Sequence, residues 1–159
     1  MLISRSRASA AVVVLAASIL APSTATATAD AGVQRTPQRQ VAAADAYLEA
    51  LSDRTKAYDV PFAKNVVRFE NGLQTGFNAA QMHRDLDLHL QYSVMTAPIV
   101  HRRTVGVGGN PDILHYSFTV PVVIAGQHIV GAPTEETFRI PASSCLIERI
   151  DASITVAPV

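Results

Sequence analysis

From Val41 to Gly76 the chain passes from an amphipathic helix, through a loop broken by proline, into a short apolar strand that ends in a carboxylate at a turn. This order constrains the fold more than any other segment. Val41, Ala44, Leu48 and Leu51 recur at helical spacing. They predict a helix capped by Thr36, opened by Pro37 and running to about Arg54. Tyr47 falls between Ala44 and Leu51 on the apolar stripe, and so points inward or along its edge. Tyr58-Asp59-Val60-Pro61 breaks the helix, because a residue before proline avoids helical angles. Val66, Val67 and Phe69 are strand formers, and Glu70 closes that strand before Asn71-Gly72, a turn signal. A phenol and a carboxylate thus stand on two elements that a small domain packs together. Such a pair suits proton transfer; it equally suits a core tyrosine and a solvated carboxylate at a turn.

Beyond this segment, Asn78 is placed to cap a second helix, AAQMHRDLDLH, with Met82 and Leu86 on one face. From Leu88 the pattern turns strand-like, with Leu88, Leu90, Tyr92 and Val94 alternating against His89, Gln91 and Ser93. Further strands are expected at Ile99 to Val107, Ile113 to Ile124, His128 to Val130, Thr134 to Ile140 and Leu146 to Val156. In the second of these, Leu114, Tyr116, Phe118 and Val120 share one face, and His115, Ser117 and Thr119 the other. Short turns between neighbouring strands imply a mainly antiparallel sheet. Two helices ahead of a long sheet make an α+β domain with its helices on one face.

The start of the chain reads as an export signal. Arg5 and Arg7 precede an apolar run from Ala10 to Ala21, and Ala27-Thr28-Ala29 offers a cleavage site before Asp30. A membrane span needs about 20 apolar residues, and this run is shorter, so no stable membrane anchor is expected. The predicted organisation is a signal peptide over 1–29, a mobile leader over 30–36 and one domain over 37–157, in a secreted protein. Removing Arg5 and Arg7 turns the balance of 13 Lys+Arg against 13 Asp+Glu slightly acidic. With Arg102-Arg103 as its one basic pair, the chain is a poor match for nucleic acid.

Cys145 is the single cysteine, so export brings no internal disulfide; it reads as a small buried residue in a strand-like run. The five histidines show no metal-binding spacing, and no metal is expected. No cofactor is implied either, since GVGGNP (Gly106 to Pro111) leads into a strand and not into a phosphate-binding helix.

A helix with an inward tyrosine, an acidic residue closing the first strand, a second helix and then antiparallel strands resembles the nuclear transport factor 2-like superfamily, which includes the ketosteroid isomerases and SnoaL-like cyclases. The resemblance spans Val41 to Ile154. It implies a cone: a strongly curved, mainly antiparallel sheet wrapped around the N-terminal helices, with a pocket at its open end. The run AYLEAL resembles the helix that carries an oxyanion-stabilising tyrosine and points to Tyr47. The run FAKNVVRFENG resembles the stretch of the proton-shuttling base and points to Glu70, although the family has an aspartate followed by proline there. In PTEETFRI the family's second, protonated acid corresponds to Glu136, beside Glu135. One of those two must face outward, because strand side chains alternate.

These readings leave three functions open. The first is a secreted domain that binds a small apolar molecule in a pocket lined by Phe69, Tyr116, Phe118 and His115, with Tyr47, Glu70 and Glu136 as polar contacts. The second adds cofactor-free isomerisation, dehydration or cyclisation through Glu70. The third is a non-catalytic module that pairs through its sheet, as a homodimer of the family would.

Overall fold

The computed structural model describes the backbone of residues 27–158 and the side chains of residues 36–156. Most of the expected signal peptide, 1–29, lies outside the described residues. Helix α1 spans Ala27–Ala50 and contains Pro37. It starts earlier than expected: the stretch from Asp30 to Thr36, read as a mobile leader, is helical. Pro37 lies inside the helix, where its missing N–H removes one bond without ending it. After Ala50 the chain tightens into a 3₁₀ turn at Arg54–Asp59, capped by Asp53, whose carboxylate accepts from the Thr55 amide at 3.0 Å.

Strands β1 (Phe62–Glu70) and β2 (Leu73–Gly76) form a hairpin across Asn71-Gly72. Both turn residues have positive φ, 49° and 82°, the geometry that Asn-Gly adopts most readily in a two-residue hairpin. Helix α2 (Ala79–Leu88) follows, and Asn78 caps it as expected, accepting from the Gln81 amide at 2.9 Å. Strands β3 (Ile99–Val105), β4 (Ile113–Ile124), β5 (Gln127–Arg139) and β6 (Ile147–Ile154) complete an open sheet in the order β2-β1-β6-β5-β4-β3. A short β7 (Ala157–Pro158) pairs with β5. All neighbours are antiparallel except β1 and β6, which run parallel. Register shifts between Val100 and Arg102 and between Val122 and Val123 mark irregularities of the kind that curve a sheet.

The alternation read in β4 holds: Leu114, Tyr116, Phe118 and Val120 are buried. They pack with Ala44, Tyr47 and Leu48 of α1 and Leu51 just after it, with Met82 and Leu86 of α2, and with Phe138 and Ile150 in one core. Buried Gln40 fastens α1 to the far end of the sheet, donating to the carbonyls of Pro111 (2.9 Å) and Ile140 (2.6 Å).

Two expectations change. Where a strand was expected from Leu88 to Val94, Leu88 ends α2, His89 caps it and Leu90 to Val94 form a turn, with Leu90 78% exposed. Alternation makes a strand only where an adjacent edge supplies hydrogen bonds, and this segment meets β4 only at its end, through Met95 and Val122. The two runs at His128 and Thr134 are one strand, β5, because Gly131 and Pro133 pair with Pro121 and Thr119 of β4 without a break.

Candidate functional site

Ala152 on β6 is the register partner of Glu70 on parallel β1 and of Glu136 on antiparallel β5. The two carboxyl groups therefore leave the same face of the sheet on either side of a methyl group, their backbones about 10 Å apart at ordinary strand spacing. Glu135, one residue earlier, faces the other way and accepts from Ser117 at 2.8 Å. Tyr47 reaches the same place from α1. Its ring packs edge-on against Phe62 and Phe138, with centroids 6.1 and 5.8 Å away.

Arg68, two residues before Glu70 and so on the same face, is 2% exposed. Its Nη1 donates to the Tyr92 hydroxyl at 2.7 Å and makes a longer contact of 3.5 Å to the Tyr47 hydroxyl. Its Nε donates to Thr75 Oγ1 at 3.0 Å and lies 3.5 Å from Glu70 Oε1. Gly76 makes room for this side chain: a Cβ there would stand 2.7 Å from the Arg68 Cβ.

Tyr47, Glu70, Tyr92, Phe118, Thr134, Glu136 and Ala152 line one cavity of about 60 Å³. Glu70, Met95 and Ile154 are the partly exposed wall residues and mark its mouth; Glu136 and Tyr47 are buried at its floor. The volume is well under the ~300–1,000 Å³ that encloses a drug-sized molecule. Only the end of a larger ligand fits. Wider grooves of about 300 and 550 Å³ lie elsewhere on the surface. The cavity alone contains a buried side-chain oxygen without a hydrogen-bond partner among the described residues, Glu136 Oε2.

Burial pushes the Glu136 carboxyl up to about 8; Arg68 pulls it down and Glu70 pushes it further up. The acid is therefore neutral through most of the physiological range and carries a proton to donate. Burial, aided by the charge of Glu136, also raises Tyr47 well above an ordinary phenol, and burial raises Tyr92. Desolvation works against the charge on Arg68, but Tyr47, Tyr92 and Glu70 outweigh it, so its pKa is raised and it stays a cation. The cavity thus combines a carboxylate, a neutral acid and two phenols, with the Arg68 guanidinium behind them against the carboxylate and both phenols. Among the described residues, no group of three or more His, Cys, Asp or Glu side chains converges as metal ligands would.

Three of the expected pocket residues lie elsewhere. Phe69 and His115 line the groove on the outer face, because each alternates with an inward neighbour, Glu70 or Tyr116. Phe69 lies under the Arg149 guanidinium, 4.5 Å from its ring centroid, and His115 meets Glu135 at 3.2 Å. Tyr116 is inward, yet its hydroxyl runs under α1 to Asp45 Oδ1 at 3.3 Å. Phe118 does line the cavity. Cys145 is buried as expected, though in a turn before β6 with φ 54°. Arg68 and Tyr92 are the members that sequence reading missed. The signal for Arg68 was its period-two match with Val66 and Glu70; for Tyr92 there was none.

The family model described as Domain of unknown function (DUF8021) matches residues 33–154. No curated protein matches the sequence significantly. Among solved structures, an LEH-like epoxide hydrolase from Mycobacterium tuberculosis superposes with a TM-score of 0.59 at 13% identity, covering 74% of this chain and 84% of the other. RV0760c from the same organism, in complex with estradiol-17beta-hemisuccinate, gives 0.55 at 13% identity, covering 72% and 92%. A protein of the SnoaL-like family from Agrobacterium tumefaciens gives 0.50 at 12% identity, covering 74% and 98%. At such identities the likeness is one of fold, and it is the nuclear transport factor 2-like fold that the sequence suggested.

Proposed function

Since the chain belongs to the DUF8021 family and has the nuclear transport factor 2-like fold, we propose that it binds a small, mostly apolar molecule by an oxygen-bearing end and transfers a proton on it without a cofactor. One observation carries the reading: Glu70 and an unpaired, neutral Glu136 flank Ala152 in a cavity that Tyr47 also lines. Glu70 takes a proton from a carbon beside a carbonyl, and the charge left on the carbonyl oxygen is held by hydrogen bonds from Tyr47 and Glu136. Return of that proton to another carbon gives an isomerisation; its delivery to a hydroxyl group that departs as water gives a dehydration; and attack of the enolate carbon on a second carbonyl of the same molecule, whose oxygen takes the proton, gives a ring closure. Solved structures of this fold include one described as an epoxide hydrolase and one holding a steroid ester, which is in keeping with small-molecule chemistry.

The volume of about 60 Å³ restricts the part that enters to the reacting end, with the remainder resting at Met95 and Ile154. A thermal-shift screen of apolar carbonyl compounds, followed by turnover assays on the hits, tests the reading. Glu70→Gln is expected to lower turnover about 10²- to 10⁴-fold with ligand binding retained. Unchanged turnover in that variant would sink the role of Glu70 as base. The same proposal places the mature protein outside the cytoplasm, on the strength of Arg5, Arg7 and the apolar run to Ala21.

A further inference from the structure

The proton transfer proposed above gives no role to the buried guanidinium of Arg68, which touches three residues of the cavity lining, Tyr47, Glu70 and Tyr92. Arg68 is held from several sides, by Thr75 and Glu70 at Nε and by the two phenols at Nη1. Gly76 leaves the space that its stem occupies. A guanidinium has donors and no acceptor, so in each phenol contact the tyrosine oxygen must be the acceptor. That fixes which way the remaining hydrogen can go. The O–H of Tyr47 finds no acceptor among the described residues, and the ring lines the cavity. Tyr92 lines it too, delivered by the turn between α2 and β3, which is fastened to β4 by Val123 N to Val94 O at 2.8 Å and Thr96 N to Pro121 O at 3.0 Å.

We infer that Arg68 is a positioning residue that turns the O–H groups of Tyr47 and Tyr92 toward the cavity, and that Tyr92 is a further donor to the ligand's oxygen. This rests on the acid–base reading and narrows its substrate class. With Tyr47, Tyr92 and neutral Glu136 as donors, the cavity takes an oxygen that gains electron density, as the carbonyl of an enone does on its way to a dienolate.

The test uses cyclopent-2-enone as probe, with its carbonyl stretch measured by infrared spectroscopy in the presence of the full-length mature protein. Binding to the wild type is expected to lower the frequency below its value in water. Tyr92→Phe, which removes only a hydroxyl, is expected to return part of that shift and to weaken binding about 3- to 10-fold. Arg68→Met is expected to return more of it, since both phenols lose their orientation, and Arg68→Lys to fall between, because it keeps a donor without the fork. If Arg68→Met does not fold, Arg68→Lys and Tyr92→Phe decide the matter. An unchanged frequency and affinity in Tyr92→Phe, alongside a loss in Glu136→Gln, overturns this inference and leaves the proton-transfer reading standing. No shift with the wild type overturns both.

Discussion

Glu136 is the residue whose chemistry depends most on where the fold puts it. Its carboxyl has an ordinary value of 4.5 in the open chain and about 8 when folded. Between those values the folded state holds a proton that the unfolded state has lost. The stability it contributes is therefore full below about 4.5 and is lost as the pH rises through about 8. The slope is at most about 1.4 kcal/mol per pH unit. Glu136→Gln keeps the shape and cannot ionise. Its melting temperature is expected to gain on that of the wild type as pH rises from 5 to 8, in matched thermal melts. Parallel curves for the two proteins would show that folding does not raise the pKa of this carboxyl. At the same scale, a lone arginine in a strand reads as solvent-facing, and only its burial beside Tyr92 and Glu70 shows Arg68 to be part of the site.

Among the elements, the β1–β2 hairpin decides where Glu70 points. Asn71 adopts φ 49° and also clamps β6, its amide donating to the Ile154 carbonyl at 3.1 Å and its oxygen accepting from the Ile154 amide at 2.8 Å. Asn71→Ala loses both bonds and strains the turn, so it is expected to destabilise by about 1–3 kcal/mol, read from urea denaturation. Gly76 closes the same hairpin against α2, where a Cβ would meet the Arg68 Cβ at 2.7 Å and the Met82 sulfur at 2.8 Å. Gly76→Ala is expected to destabilise by about 1–3 kcal/mol through overpacking, and to disturb the cavity through Arg68; an unchanged denaturation midpoint would refute that. The hairpin and the cap of α2 were legible because Asn-Gly and an asparagine before a helix act through local backbone geometry. The turn carrying Tyr92 was not, because its alternating pattern imitates a strand while its hydrogen bonds go to the end of β4.

For the molecule as a whole, the decisive contact is the parallel pairing of β1 with β6, which brings Glu70 and Glu136 to the two sides of Ala152. Enlarging that residue tests the site without touching a charge. Ala152→Leu is expected to fill the 60 Å³ cavity and abolish ligand-induced thermal shifts, while circular dichroism stays that of the wild type. Mass spectrometry of the exported protein is expected to find Asp30 at its start; an intact Met1 would remove the export proposal. The sequence by itself determined the first helix, the strand that ends in Glu70, the inward face of β4 and the α+β class, since these follow from periodicity, turn chemistry and strand alternation within short stretches of chain, while Glu136 was pointed to by the family resemblance. Tertiary structure alone decided that β1 joins β6, that Phe69 and His115 face outward, that Tyr92 lines the cavity and that Arg68 is buried against its phenols. Those outcomes depend on register between segments some eighty residues apart, as in the pairing of Glu70 with Ala152, and no local propensity encodes it.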